Sequence, residues 1–143
     1  MKTVAQILEE KGNEVWSVPA DASVYSALEL MAEKNVGAVL VTEGGTPVGI
    51  LSERDYARKV VLEKRLSRDT AASEIMTPNP VCVRPDQSIE DCMALMTAKR
   101  FRHLPVVQDD AVVGLLSIGD VVKSVISERE FLIRQLETYI SGA

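Results

Sequence analysis

The pattern of apolar and polar positions predicts short helices that alternate with short strands. Two segments place apolar residues at i, i+3, i+4 and i+7, the spacing of one buried helix face. Ser23 and Ser88 stand directly before them as the expected N-caps, 65 residues apart. The two stripes are Val24, Ala27, Leu28, Met31 and Ile89, Cys92, Met93, Met96. The chain is therefore expected to contain two similar amphipathic helices.

Apolar runs separated by turn-forming residues follow each helix and predict two β-hairpins. A short extended segment is expected before each helix, at Val15–Val18 and at Val81–Val83. A second helix begins near Ser52 in one half and near Ser117 in the other. The predicted hairpin strands are Ala38–Val41 with Pro47–Leu51, and Leu104–Val107 with Val112–Leu116. Each half thus has the order strand, helix, strand, strand, helix.

The two halves align with each other without a gap through their central part at the same 65-residue offset, which indicates an internal repeat. Val48, Gly49 and Asp55, for example, fall on Val113, Gly114 and Asp120. One half of this size buries too little surface to be comfortably stable alone. We therefore predict an α+β fold of two β-α-β-β-α copies, packed as a pseudo-twofold pair with two equivalent clefts between them.

Three segments lie outside the repeat. Thr3–Glu10 has the pattern of a short helix, and the charged segment Lys64–Thr70 is the expected linker. These assignments give domains at 1–66, which includes the N-terminal helix, and at 71–143. The last helix is expected from Asp120 to Ser141, and its apolar stripe extends past the repeat. That excess stripe must cover the other copy or another subunit.

Composition narrows the classes of function. Apolar residues make up 46% of the chain and aromatic residues 4%, so the core must be aliphatic. A net charge of −5 argues against a nucleic-acid binder, and no apolar run reaches the roughly 18 residues of a membrane helix. Cys82, in a predicted strand, and Cys92, in a predicted helix, are too few for a disulfide framework and are expected to be buried. With no signal-peptide pattern, a reduced cytoplasmic protein is expected.

Several short motifs occur in order and in register, and through them the sequence resembles the CBS (cystathionine β-synthase) domain family over nearly its whole length. The resemblance implies a regulatory tandem pair that binds AMP, ATP, NAD(H) or related adenosyl ligands in its clefts. As a short stand-alone pair, the chain resembles the bacterial signal-transduction members of the family. The motifs are Ile75-Met76-Thr77-Pro78, Val83-Arg84-Pro85-Asp86, Arg102-His103-Leu104-Pro105, Gly114-Leu115-Leu116-Ser117-Ile118-Gly119-Asp120 and Gly49-Ile50-Leu51-Ser52-Glu53-Arg54-Asp55.

The pattern Gly-x-x-Ser-x-x-Asp ends a strand and opens a helix in both copies. A helix N-terminus attracts phosphate, a serine hydroxyl can donate to it, and a carboxylate can accept both hydroxyls of a ribose. The family assigns these roles to Ser52 with Asp55 and to Ser117 with Asp120. The alternative is helix capping, but a capping box prefers Glu or Gln, and Asp is expected to reach back poorly.

The two copies differ beside this pattern. Arg102 and His103, the only histidine of the chain, precede a buried strand, and an arginine fork suits a phosphate. The first copy has Gly37-Ala38 there, and it has Arg54 where the second copy has Gly119. The two sites need not hold the same ligand.

The adenine requires an apolar slot with main-chain groups that contact its edge. The strand residues Val81, Cys82 and Val83 are placed for this in the second copy. Trp16 is the candidate for stacking in the first, although it is at least as reasonable as a core or interface residue.

Catalysis is disfavoured because the sequence has no metal-ligand cluster, no nucleophile–histidine arrangement and no G-x-G-x-x-G after a first strand. A purely structural dimerisation module without ligand is the alternative, but both copies keep the serine and the aspartate. We expect a homodimer that holds a regulatory adenine nucleotide and no catalytic cofactor, signals to an unidentified effector protein, and binds neither nucleic acid nor membrane.

Overall fold

The computed structural model describes residues 2–141 and divides into two compact units. The first-copy unit runs from Glu14 to Val81, and the second-copy unit joins the residues up to Asn13 with those from Cys82 onward. The sequence assigns helix α1 (Val4–Lys11) to the first copy, but this helix packs within the second-copy unit. Residues 1, 142 and 143 of the predicted domains lie outside the described residues.

The first-copy unit contains a four-stranded sheet whose strands lie side by side in chain order. Strand β1 (Ser17–Pro19) runs parallel to β2 (Ala38–Glu43), and β2 pairs antiparallel with β3 (Thr46–Ser52). After a 3₁₀ turn in the predicted linker and helix α4 (Ala72–Ile75), β4 (Thr77–Pro78) pairs antiparallel with β3. The hairpin prediction is confirmed, and β1 begins two residues later than expected.

The helices of this unit begin where the serine N-caps predict. In helix α2 (Val24–Lys34), the Ser23 side chain accepts a hydrogen bond from the Ser26 N–H. Helix α3 (Glu53–Tyr56) is a single turn that continues as a π-helical turn over Ala57–Val61. The core of this unit is aliphatic as expected, and its buried residues include Val18, Val24, Ala27, Met31, Val39, Val41, Leu51, Val60, Ala72 and Ile75.

The second-copy unit has the same hairpin, β5 (His103–Gln108) with β6 (Ala111–Ser117), after helix α5 (Ile89–Lys99). The strand predicted at Val81–Val83 is reduced to a single bridge between Val83 and Val106. In the first copy, the Leu40 N–H donates to the Trp16 carbonyl and the Ala20 N–H to the Thr42 carbonyl. The corresponding donors in the second copy are Pro105 and Pro85, which have no N–H, so the strand cannot lengthen.

Helix α6 (Ile118–Ser141) is the longest element, with 24 residues. Its residues Val121 and Ser124 are buried, whereas every residue from 129 to 141 is exposed. The predicted stripe of α5 is buried at Ile89, Cys92 and Met96, but Met93 is 43% exposed.

The expectation that both cysteines are buried is wrong for Cys82, which is exposed in the irregular segment before Val83. Neither cysteine forms a disulfide.

The segment that precedes each copy packs on the opposite copy, in the same way both times. We call residues 2–11 the first arm and residues 70–79 the second arm. The first arm bridges Thr3 to Ser88 and the second arm bridges Ala71 to Ser23. The main-chain bonds correspond one for one: Val4 N–H to Gln87 O, Ala5 N–H to Pro85 O, Ala72 N–H to Ala22 O, and Ser73 N–H to Ala20 O.

Matching glycines receive these arms. A Cβ on Gly114 would lie 2.7 Å from a methyl of Leu8, and one on Gly49 would lie 2.8 Å from the carbonyl of Thr77. Within residues 2–141, no helix has the length and apolar character needed to cross a membrane.

Candidate functional site

The second-copy junction lies where β6 ends at Ser117 and α6 begins. The Ser117 N–H donates to Asp120 Oδ2 at 2.8 Å, and the Asp120 N–H donates to Ser117 Oγ at 3.1 Å. These two bonds form a reciprocal cap. The expectation that an aspartate reaches back poorly is therefore wrong.

The first-copy junction repeats this geometry. The Ser52 N–H and hydroxyl donate to Asp55 Oδ2 at 2.9 and 3.0 Å, and the Asp55 N–H donates to Ser52 Oγ at 3.1 Å. The aspartate reaches because Ser52 has an extended backbone, φ −118° and ψ 162°, that directs its N–H toward the first helical turn. Capping is thus a real role of both pairs.

The predicted neighbours in the second copy lie at the same junction. His103 is half-buried and stands opposite Ser117 in the β5–β6 register. Arg102 has an exposed side chain, and its carbonyl accepts the Ile118 N–H at 2.8 Å. Thus Arg102, His103, Ser117 and Asp120 gather within one strand–helix corner.

The equivalent corner of the first copy is tied by the Glu53 N–H, which donates to the Gly37 carbonyl at 3.1 Å. Arg54 is exposed on the first turn of α3. At the matching position of α6, a Cβ on Gly119 would meet nothing nearer than Ser117 Oγ at 3.6 Å. Where the first copy has the Arg54 side chain, the second copy therefore has open space beside Gly119.

Each aspartate is bonded to a lysine that the sequence analysis missed. Lys11, at the end of α1, donates to Asp120 Oδ2 at 2.6 Å and to the Leu115 carbonyl at 2.7 Å. Lys59 lies 3.1 Å from Asp55 Oδ1. The i,i+4 spacing of Asp55 and Lys59 is a sequence signal for such a pair. Lys11 and Asp120 are 109 positions apart, and no local pattern connects them.

These contacts set the charge of Asp120. Burial acts to raise the pKa of this carboxyl, but the hydrogen bond and charge of Lys11 and the bonds from Ser117 outweigh it, so the pKa lies below its usual range. Asp120 is consequently an ionised acceptor at neutral pH, as a ribose diol requires.

The residues suggested for the adenine are placed less uniformly. Val83 is buried, and both of its main-chain groups bond to β5, so it has no main-chain group left for a base. Val81 is half-buried and Cys82 exposed. Trp16 is half-buried against the first-copy core, and Lys34 Nζ lies 4.5 Å from the centre of its ring. One face of Trp16 is therefore already in use.

A groove lies between the two helices of each copy, at matching positions. In the first-copy unit it measures about 370 Å³ and is lined by residues that include Leu28, Met31 and Glu53. In the second-copy unit it measures about 180 Å³, and its lining includes Met93, Met96 and Ile118. The second groove is the more apolar, since Ile118 stands where the first has Glu53 and valine and isoleucine side chains of α6 also line it. Among residues 2–141, no three His, Cys, Asp or Glu side chains gather as a metal site.

Comparison with known proteins gives one consistent family. Residues 4–62 and 72–127 match the CBS domain. Over 150 residues the chain is 36% identical to the Arabidopsis thaliana CBS domain-containing protein CBSX3, mitochondrial, covering 98% of this chain and 72% of that protein. It is 33% identical to A. thaliana CBSCBSPB1, of whose length it spans only 21%.

Solved structures similar to this chain also belong to CBS-domain proteins. A CBS-domain protein of Burkholderia ambifaria MC40-6, to which a signal-transduction role has been ascribed, superposes with a TM-score of 0.85 at 52% identity, covering 88% of this chain and 95% of that one. CBSX2 in complex with AMP superposes with a TM-score of 0.70 at 29% identity, covering 90% and 99%.

Proposed function

This chain belongs to the CBS domain family, and on that premise we propose that it is a regulatory module that binds an adenine nucleotide at its two strand–helix junctions. The carrying observation is that both copies place a serine hydroxyl and an aspartate carboxylate together at a helix N-terminus. The relative CBSX2 has been solved with AMP, and AMP, ATP and NAD(H) share the adenosine that such a corner would recognise.

The chemistry assigns a part to each group. The helix N-terminus and Ser52 or Ser117 receive phosphate, and the aspartate accepts the ribose hydroxyls. Arg54 in the first copy and Arg102 in the second are exposed beside these corners, so their guanidinium groups can reach phosphate oxygens. We expect a bound nucleotide to be released unchanged, with the chain acting through a partner rather than by catalysis.

A second candidate is a structural module without ligand. The observation in its favour is that both capping boxes close on their own bonds, so the serine and aspartate stabilise the helices without any nucleotide. Binding and capping therefore have to be separated by experiment.

Asp91 provides the matched control, because it closes the same box with Ser88 at the start of α5, outside the Gly-x-x-Ser-x-x-Asp pattern. Asp91→Ala should lower the free energy of unfolding by about 1 kcal/mol through loss of a cap, and Asp120→Ala should lower it at least as much because it also loses the contact with Lys11. Only Asp120→Ala should reduce AMP binding, measured by calorimetry, from two sites per chain to one. Asp55→Ala should remove the other site.

Wild-type protein that binds no AMP, ATP or NAD(H) at millimolar concentration would overturn nucleotide sensing and leave the structural module. Equal AMP binding by Asp120→Ala and Asp91→Ala would overturn it as well. Native mass spectrometry of the purified chain identifies which nucleotide is retained and how many copies are bound.

We also propose that the chain forms a homodimer through α6. Its exposed part repeats apolar residues with heptad-like spacing, which suits pairing with a second copy. Charges of both signs flank the stripe and can form ion pairs between two copies: Glu128, Arg129, Glu130, Arg134 and Glu137. A cytoplasmic location belongs to the same proposal, since Cys82 and Cys92 remain thiols.

A further inference from the structure

In each copy a single ammonium group connects the aspartate to one of the exchanged arms. Lys11 belongs to the first arm and bonds Asp120 and the Leu115 carbonyl. Lys59 lies beyond α3 and bonds Asp55 and the Ile75 carbonyl of the second arm, the latter at 3.0 Å. The two lysines come from different elements, yet they make the same kind of link.

One oxygen of each aspartate already accepts two hydrogen bonds in this state. Asp120 Oδ2 accepts from both the Ser117 N–H and Lys11 Nζ. Asp55 Oδ2 accepts two bonds from Ser52, and Oδ1 faces Lys59. A vicinal diol needs both oxygens of a carboxylate. At Asp120, a ribose can use Oδ2 only if one of its two donors leaves, and Lys11 is the donor that lies outside the cap. At Asp55, a ribose has to displace Lys59 from Oδ1 and the Ser52 hydroxyl from Oδ2.

We infer that Lys11 and Lys59 are latches that nucleotide binding opens, so that each arm reports whether its site is occupied. The inference rests on the proposed function. Ribose hydroxyls replace the ammonium at the carboxylate, and the released lysine no longer holds its arm. The two ion pairs are partly solvated, with side-chain exposures of 34% and 22% for Lys11 and Asp120. Their displacement therefore costs little, and a micromolar ligand can open them.

Release of Lys11 in the second copy should change the structure of its arm more than release of Lys59 in the first copy. Lys11 is the last residue of α1, which Val4 and Ile7 anchor at its other end by burial. Opening this latch frees the terminal turn of an arm. Lys59 sits on the same helix segment as Asp55, so its release loosens only one carbonyl contact at the end of α4. Occupancy of the Asp120 site should thus alter the first arm more than occupancy of the Asp55 site alters the second.

The variant Lys11→Met tests the latch, because it keeps the aliphatic stem and removes the ammonium. Lys99→Met is the control, since Lys99 is exposed at the end of α5 and the charge change is the same. Both are measured by calorimetry with AMP in the Asp55→Ala background, where only the Asp120 site remains. Lys11→Met should tighten AMP binding about two- to fivefold, the range of a partly exposed ion pair, and Lys99→Met should not.

Hydrogen–deuterium exchange on the wild-type chain gives a readout that needs no variant. Saturating AMP should speed exchange at the end of the first arm, around residues 8–11, and this effect should be absent in Lys11→Met. Equal or weaker AMP binding by Lys11→Met relative to Lys99→Met overturns the latch while the nucleotide proposal stands. An arm that becomes more protected with AMP also overturns it. Failure of AMP, ATP and NAD(H) to bind the wild-type chain overturns both.

Discussion

The hydrogen bonds that each carboxylate oxygen already accepts determine what else Asp120 and Asp55 can bind. Each aspartate caps its helix, holds a lysine and, under the proposed function, awaits a ribose. The serine and aspartate positions were predictable from sequence because the pattern recurs at one offset. The contact between Asp120 and Lys11 was not predictable, since Lys11 reaches Asp120 only through the packing of a helix that is distant in sequence.

The Lys11–Asp120 pair makes stability depend on pH in a definite direction. The pKa of Asp120 is lower in the folded chain than in the unfolded one, so its contribution is present above the unfolded pKa and lost as pH falls through the folded pKa. Lys11→Met should therefore lower the free energy of unfolding more at about pH 7 than at about pH 2, where only the bond to the Leu115 carbonyl is still lost. Urea denaturation of this variant beside Lys99→Met measures the difference. An equal loss at both pH values would contradict the assignment.

Three glycines give a graded test of close packing. Gly49→Ala would press its Cβ against the Thr77 carbonyl, which cannot rotate away, and should cost about 1–3 kcal/mol. Gly114→Ala meets only the side-chain end of Leu8 and should cost less. Gly119→Ala meets ordinary contact distances and, inside α6, should be neutral or stabilising by up to about 1 kcal/mol. Urea unfolding ranks the three, and a Gly119→Ala loss equal to that of Gly49→Ala would refute the ranking.

Helices and strands were predictable to different degrees. Both hairpins and the N-caps at Ser23 and Ser88 follow from local sequence and are confirmed. The strand expected at Val81–Val83 does not form because two prolines remove the N–H donors that extend its counterpart. The proline effect was visible in the sequence, whereas the packing of α1 on the second copy depends on contacts more than 70 positions apart.

The exposed end of α6 predicts a specific dependence of assembly on its stripe. A helix of 24 residues is about 36 Å long, and a single exposed helix with an apolar stripe is poorly stable in water. Leu136→Glu should therefore shift the chain from a dimer toward a 15.6 kDa monomer in light scattering at micromolar concentration. Thr138→Glu, an exposed change elsewhere on the same helix, should leave the dimer intact. A wild-type monomer would remove the dimer proposal.

At the scale of the whole chain, each compact unit combines one copy with the arm that precedes the other copy. Ile7 is 2% exposed in the second-copy unit, so Ile7→Ala should lower the free energy of unfolding by about 2–4 kcal/mol. Glu9→Ala, on the exposed side of α1, should change it by less than about 0.5 kcal/mol. Chemical denaturation of both variants checks this, and equal stabilities would show that α1 contributes nothing.

The exchange of arms also fixes an order of events during synthesis. The first-copy unit is continuous from Glu14 to Val81. All of its segments have therefore left the ribosome once the second arm, residues 70–79, has emerged. Helix α1 is translated before its hydrogen-bond partners Pro85 and Gln87. Val4 and Ile7 therefore stay uncovered until the second copy has been synthesised. The Asp120 site is completed late in synthesis, because Lys11 is synthesised 109 residues before the carboxylate that it binds.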